Sequence, residues 1–266
     1  MQVSLAQLMP RPRDVPANLA RAREVLAANN ASALVVLPEL FLSGYQLADV
    51  EPLAIDLEGP ELGELRDAAR AASTAVVIGA AERIAAGVAN SAICIDSTGG
   101  LAGVYRKTHL FGAEAEAFTA GDEQLVVPLA GALVAPLICF DIEFPEPARA
   151  AARAGAELLV TPSANMAPYW ADHELASRAR ALDNRLGHLY ANRVGSEGGH
   201  RFVGGSRAVA PDGLVLIEAS DEHEELLVVA VGHPDRADAA VDYLRHARGE
   251  LPVRGPVHSS PPGGSP

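Results

Sequence analysis

Read for the spacing of its apolar residues, the chain alternates between short strand-like runs and longer stretches of helical period. Met1 to Leu8 alternates as a strand does, and after the Pro10 to Pro16 turn the Ala/Leu/Arg pattern of Ala17 to Asn30 predicts an amphipathic helix. Ala33 to Leu37 is a short apolar run ending at Pro38-Glu39, so the chain opens strand, helix, strand. Pro60 to Ser73 reads as a second helix and Ala75 to Ala80 as a third strand. Ser91 to Asp96 and Ala102 to Arg106 form a hairpin across Ser97 to Gly100. Thr108 to Asp122 has no clean period and reads as a loop with one helical turn, a length that in compact domains usually carries function. Strands follow at Val126 to Pro128 and Ala132 to Ile138, then a helix at Pro145 to Ala154. Glu157 to Val160 is a strand running into Thr161-Pro162-Ser163, Asp172 to Leu186 a long helix, and His188 to Asn192 a strand. The remainder is strand-rich, at Arg201 to Ala210, Leu214 to Ala219 and Leu226 to Val231, before a helix at Asp235 to Leu244. This rhythm predicts a layered α/β fold, with one large domain over residues 1–251 and a Pro/Gly/Ser-rich tail over 252–266 that has little to bury.

Charge and composition narrow the partners. At 266 residues and 49% hydrophobic, the chain can bury a large core. A net charge of -13 argues against nucleic acid and against anionic membrane surfaces, both of which need basic protein. No apolar run is long enough to span a membrane, and the N-terminus lacks the pattern of a secretory signal, so the expected location is the cytoplasm. Two cysteines, Cys94 and Cys139, cannot make a disulfide framework. None of the histidines falls in a metal-binding spacing, so no metal or organic cofactor is expected. The glycines at Gly195, Gly198, Gly199, Gly204 and Gly205 are followed by strand-like residues, which favours a tight hairpin over a phosphate cradle. The basic residues include a single lysine, Lys107, and an ammonium is a compact charge that a guanidinium does not replace.

Three motifs share one arrangement, an extended run that ends on a chemically capable residue: Leu37-Pro38-Glu39, Tyr105-Arg106-Lys107-Thr108-His109-Leu110 and Ile138-Cys139-Phe140-Asp141. Each has a plain alternative. Glu39 reads equally as a surface carboxylate, Lys107 as a solvated cation, and Cys139 as a packing residue, since free cysteine is commonly buried. Taken together they supply what a cysteine nucleophile needs: a carboxylate to accept the thiol proton and an ammonium to favour thiolate.

With these motifs in this order the chain resembles the carbon-nitrogen hydrolases of the nitrilase superfamily. The similarity extends through Pro38-Glu39-Leu40-Phe41 with Gly44-Tyr45, Arg106 to Gly112, Cys139 to Glu146, and Gly204-Gly205-Ser206. The resemblance implies a four-layer α-β-β-α sandwich of the carbon-nitrogen hydrolase type. It also implies a Glu-Lys-Cys triad with Glu39 as general base, Lys107 as the cation that stabilises the intermediate, and Cys139 as nucleophile. Members carry a second glutamate in the loop after the lysine. Counting back from Phe118 points to Glu114, with Glu116 as the alternative.

The same resemblance favours an amidase over a nitrilase, because true nitrilases tend to carry Trp-Glu after the cysteine and this chain has Phe140-Asp141. The expected reaction is cleavage of a small linear amide or carbamoyl compound through an acyl-enzyme. Nitrile hydrolysis, acyl transfer and a non-catalytic binding role are the alternatives. Tyr45, Phe140, Ser163, Ala164 and Trp170 are expected to contact the substrate, with Phe118 and the segment up to Met166 in the pocket wall. A homodimer or larger homo-oligomer is expected by the same likeness.

Overall fold

A computed structural model describes residues 1–232 and 243–248. Its first sheet contains β1 (Gln2–Gln7), β2 (Leu34–Val36), β3 (Ala75–Ile84), β4 (Gly87–Ile95) and β5 (Leu101–Arg106). The second contains β6 (Val127–Leu129), β7 (Ala132–Pro136), β8 (Leu158–Ser163) and β9 (Gly187–Asn192). A two-stranded ribbon, β10 (Val194–Glu197) with β11 (His200–Val203), leads into β12 (Arg207–Val209) and β13 (Val215–Glu218), and β14 (Glu225–Ala230) returns to the first sheet. The strand orders are β14-β1-β2-β3-β4-β5 and β13-β12-β9-β8-β7-β6. In both, parallel pairs lie at the centre and antiparallel pairs at the edges.

Side-chain alternation turns these sheets into four layers. Leu34 and Val36 of β2 pack in the inter-sheet core with Val134, Val160 and Leu189 of the other sheet. Val35, between them, faces the opposite way, onto Leu19 and Leu26 of helix α1 (Val15–Ala28) and Leu62 and Leu65 of α2 (Pro60–Ala72). On the far face, Ala135, Leu137 and Leu159 pack on α4 (Pro145–Arg153) and α5 (Trp170–Asn184) through Ala148, Ala151 and Ala176. The helices begin where their first residues permit: the Asp14 carboxylate accepts the Ala17 N–H at 3.1 Å, and Pro60 and Pro145 open α2 and α4.

The expected elements differ from the structure in two places, and a third lies largely outside the described residues. β3 and β4 run on to Ile84 and back from Gly87, well past the apolar stretch that marked them, because Glu82 is buried with partners: Arg106 donates to it at 2.6 and 2.8 Å and Ser91 at 2.7 Å. The single strand expected over Arg201 to Ala210 is two, β11 and β12. Gly204 and Gly205, at φ +53° and +66°, turn the chain from the ribbon into the sheet, a backbone setting that suits glycine. The helix expected at Asp235 to Leu244 lies largely outside the described residues, within which Tyr243–His246 is a short helix. The tail over 252–266 lies outside them entirely.

Candidate active site

Strands β2, β5 and β7 run towards one rim of the two sheets, and each is followed by a motif residue. β2 leads through Leu37 and Pro38 to Glu39. The chain then lies tightly along β3, with the Gly79 N–H donating to Pro38 O at 3.1 Å. A Cβ at Gly79 would stand 2.4 Å from both Leu40 N and Pro38 O, so only glycine lets the Glu39 segment approach this closely. β5 ends at Arg106, and Lys107 continues its pairing with β4 by donating its N–H to Asn90 O at 2.8 Å. β7 leads through Leu137 and Ile138 to Cys139. There the expected helix start is preceded by a 3-10 turn, Cys139–Glu143, before α4 begins at Pro145.

Cys139 has φ +47°, a left-handed conformation that costs a non-glycine residue roughly 1–3 kcal/mol and must be held by its surroundings. Asp141 supplies the holding. It accepts the Ile138 N–H at 2.9 Å on one side of the turn, and Tyr105 OH at 2.8 Å, Thr108 Oγ1 at 2.9 Å and the His109 N–H at 2.9 Å on the other. One buried carboxylate thereby ties the Lys107 segment to the Cys139 turn.

The side chains at this rim converge. Lys107, fully buried, donates from Nζ to Glu39 Oε1 at 2.7 Å and to Glu114 Oε1 at 2.9 Å. Asn90 Nδ2 donates to Glu39 Oε1 at 2.7 Å and the Ala164 N–H to Glu39 Oε2 at 2.8 Å. Glu114 opens a one-turn helix, α3 (Glu114–Ala117), is 1% exposed, and also accepts from Tyr45 OH and from the Phe111 N–H, both at 2.8 Å. Glu116 is exposed to solvent. Of the two glutamates in that loop, Glu114 is the one that reaches Lys107.

Burial and charge set the protonation states. Burial alone would discharge Lys107, but the two adjacent carboxylates outweigh it and hold the ammonium above its ordinary pKa. Burial raises Glu114, and nearby Glu39 adds to this while Lys107 opposes it. The Cys139 thiol is pushed well up, first by burial and then by Glu39. Lys107 and a hydrogen bond from Ser163 pull the other way without prevailing. Together these influences favour the protonated thiol, and the carboxylate expected to accept its proton lies in the same cluster. Two carboxylates accompany one ammonium, and the thiol needs a base at the moment of reaction.

Cys139 opens on a narrow cleft, and among the expected substrate contacts Tyr45, Phe140 and Ala164 line it. Ser163 is fully buried behind it, bonded to Tyr190 OH at 3.0 Å. Trp170 is not in this wall. It stands exposed at the start of α5 and lines a neighbouring cavity with Arg201 and Glu218. Phe118 packs in the core behind Tyr45 without lining the cleft. The sequence motifs gave no wall role to four further residues that line the cleft, Phe111, Glu143, Tyr169 and His173. His173 Nε2 lies 3.3 Å from Glu143 Oε1, and its Nδ1 is 2.8 Å from Tyr190 OH. Among the described residues no group of three or more His, Cys, Asp or Glu could hold a metal ion, and no helix is long and apolar enough to cross a membrane.

Known proteins share this architecture. The family model described as carbon-nitrogen hydrolase matches residues 2–240. A Pseudomonas protegens protein named hydrolase in pqqF 5'region is 44% identical, covering 94% of this chain and 90% of its own length. An (R)-stereoselective amidase from a Pseudomonas species is 39% identical, covering 93% and 92%. Among solved structures, a nitrilase-superfamily amidase from Nesterenkonia AN1 superposes with a TM-score of 0.83 at 32% identity, covering 93% of this chain and 94% of that one. A variant of that amidase carries acrylamide added to its active-site cysteine. With the four-layer fold and a match spanning almost the whole chain, the protein belongs to the carbon-nitrogen hydrolase family of the nitrilase superfamily.

Proposed function

We propose that this protein is an amidase that hydrolyses small linear amides to a carboxylic acid and ammonia, with Cys139 as nucleophile, Glu39 as general base and acid, and Lys107 and Glu114 as the charged frame around them. The observation that carries this reading is the Lys107 ammonium held between two buried glutamates beside a cleft that reaches the Cys139 sulfur. Because the thiol is protonated at rest, the reaction begins with transfer of its proton to Glu39 as Sγ attacks the amide carbon. Lys107 gives two of its three N–H bonds to Glu39 and Glu114, which leaves the third for the developing oxyanion together with the Phe140 backbone N–H. Collapse of the tetrahedral adduct breaks the C–N bond, and Glu39 returns the proton to the departing ammonia. Water then attacks the thioester, Glu39 accepting its proton and passing it to the sulfur as the acid leaves. No step calls on a metal or organic cofactor.

The finer expectations fit the same picture. Free Cys94 and Cys139 suit a reducing cytoplasm, and exposed Leu175 and Leu182 on α5 with Leu214 and Leu216 nearby offer an apolar surface for a homodimer. The chemistry is tested by mass spectrometry of the protein mixed with butyramide. An acyl adduct on the Cys139 peptide, absent from Cys139→Ala, should accompany ammonia release. Ammonia release that persists in Cys139→Ala would sink the assignment.

A further inference from the structure

The cleft above Cys139 is unbalanced in charge. Among the described residues that line it, Glu114 and Glu143 are acidic and none is a lysine or arginine. The Glu114 carboxylate is compensated, with Lys107 Nζ 2.8 Å away. Glu143 is not. Among the described residues, its one charged or titratable neighbour within ion-pair distance is His173, at 3.3 Å, and burial favours the neutral imidazole by lowering its pKa. Arg180 passes close by but directs its N–H groups to the backbone oxygens of Ile142 and Glu143 and to Asp183, leaving the Glu143 carboxylate unmatched.

The position of Glu143 is also fixed. It is the last residue of the turn that begins at Cys139, its carboxylate stands 3.3 Å from His173 Nε2, and hydrogen bonds continue from His173 through Tyr190 to the fully buried Ser163. The cleft wall beside it is aromatic. Phe111 meets Phe140 edge to face at 5.2 Å and Tyr169 at 5.4 Å, and all three rings line the cleft. A partly buried carboxylate in a cleft that aromatic rings also line is a setting that stabilises a cation.

We infer that the cleft selects amides bearing a positive charge, with the Glu143 carboxylate receiving an ammonium group a short distance from the scissile carbonyl. This rests on the amidase reading given above. A neutral amide closing over Glu143 takes water from an unpaired carboxylate and gives nothing back, whereas an ammonium pairs with it. A substrate carboxylate meets a like charge.

Three amides of similar length separate the possibilities: 3-aminopropanamide, its isostere butyramide, and succinamate. For the wild-type protein kcat/KM should fall in that order, with at least about tenfold between the first two, equivalent to ~1.4 kcal/mol. Glu143→Gln should bring the ratio of the first two towards one, and Glu143→Lys should place succinamate ahead of 3-aminopropanamide. Should these variants fold poorly, the wild type alone suffices, since propylammonium should inhibit butyramide turnover at lower concentration than propanol does. Butyramide hydrolysed as fast as 3-aminopropanamide, a preference that survives Glu143→Gln, or equal inhibition by propylammonium and propanol would each overturn the inference while the amidase reading stands. If none of the three amides releases ammonia or acylates Cys139, it is the amidase reading that fails.

Discussion

Two fully buried cations among the described residues, Lys107 and Arg193, invite comparison because burial costs each of them similarly and yet they stand in different company. Arg193 faces one carboxylate, Glu197, at 2.6 Å, and its guanidinium carbon lies 3.9 Å above the Phe202 ring. The charges match one for one, and neither residue lines the Cys139 cleft. Lys107 faces two carboxylates, and one of them, Glu114, forms part of the cleft wall with Cys139. A buried ion pair is therefore not by itself a mark of chemistry. What distinguishes the Lys107 group is a surplus carboxylate beside the strained Cys139, where burial first and the carboxylates after it push the thiol up, and where the proposed reaction needs a base to remove its proton. The Arg193 pair supports the site from behind. It anchors the ribbon whose Phe202 packs against Tyr45 at 5.6 Å, and Tyr45 in turn donates to Glu114.

Replacing each cation by methionine should separate the two roles most widely. Lys107→Met should lower kcat/KM for butyramide by about a thousandfold or more, since the oxyanion loses its cation. Its effect on stability should be softened, because Glu39 and Glu114 can then share a proton. Arg193→Met should do the reverse. Glu197 is left buried without a counter-charge, at a cost of about 3–5 kcal/mol in unfolding free energy, while activity of the folded fraction stays within roughly tenfold. Denaturant melts and ammonia release on the same preparations make the comparison. A folded Arg193→Met protein as inactive as Lys107→Met would erase the distinction.

The next largest effect concerns how closely Glu39 is held. Gly79→Ala would push a methyl group to 2.5 Å from Glu39 Cα, against backbone atoms that have no room to give. The expected result is a loss of about a hundredfold in kcat from a misplaced base, with destabilisation of about 1–3 kcal/mol. Near-wild-type turnover from a stable Gly79→Ala protein would show that the position of Glu39 is looser than the backbone contact implies.

How much of this could be read from the chain alone depends on distance along it. Glu39, Lys107 and Cys139 stand out because each comes just after a strand, and β2, β5 and β7 bring their ends to one rim. Glu114 could be counted out from Phe118, since the intervening turn is short. Asn90 could not. It sits inside a strand that pairs with the Lys107 segment, and nothing local shows that its amide reaches Glu39, 51 residues away. How strongly the thiol holds its proton was hidden for a related reason, because a motif shows which charges are present but not how deeply they are buried. Trp170 followed a motif strand and was expected in the substrate wall. A loop with its own turn geometry carries it into the adjoining cavity instead. The left-handed break at Gly204 and Gly205 was visible as composition, but which strand partner changes there depends on the sheet.

The smallest effect sharpens the comparison most, because it tests the surplus charge itself. Glu114 raises the pKa of the Cys139 thiol, behind burial, Glu39 and the two opposing influences of Lys107 and Ser163. Glu114→Gln removes one of the two anions while keeping a side chain of the same shape, so the thiolate becomes easier to form. The pH midpoint for alkylation of Cys139 by iodoacetamide should therefore fall. Turnover should not improve with it. Lys107 loses one of its two anchors and Tyr45 and Phe111 lose a charged acceptor, so kcat/KM should drop by about tenfold. Glu116→Gln, changing an exposed carboxylate in the same loop, should leave both quantities within about twofold. A lower alkylation midpoint combined with slower hydrolysis is the signature of a carboxylate that holds the lysine in place and opposes the thiolate at once. If Glu114→Gln leaves the midpoint unchanged, the balance of charge around Lys107 is not what keeps Cys139 protonated, and burial alone does so.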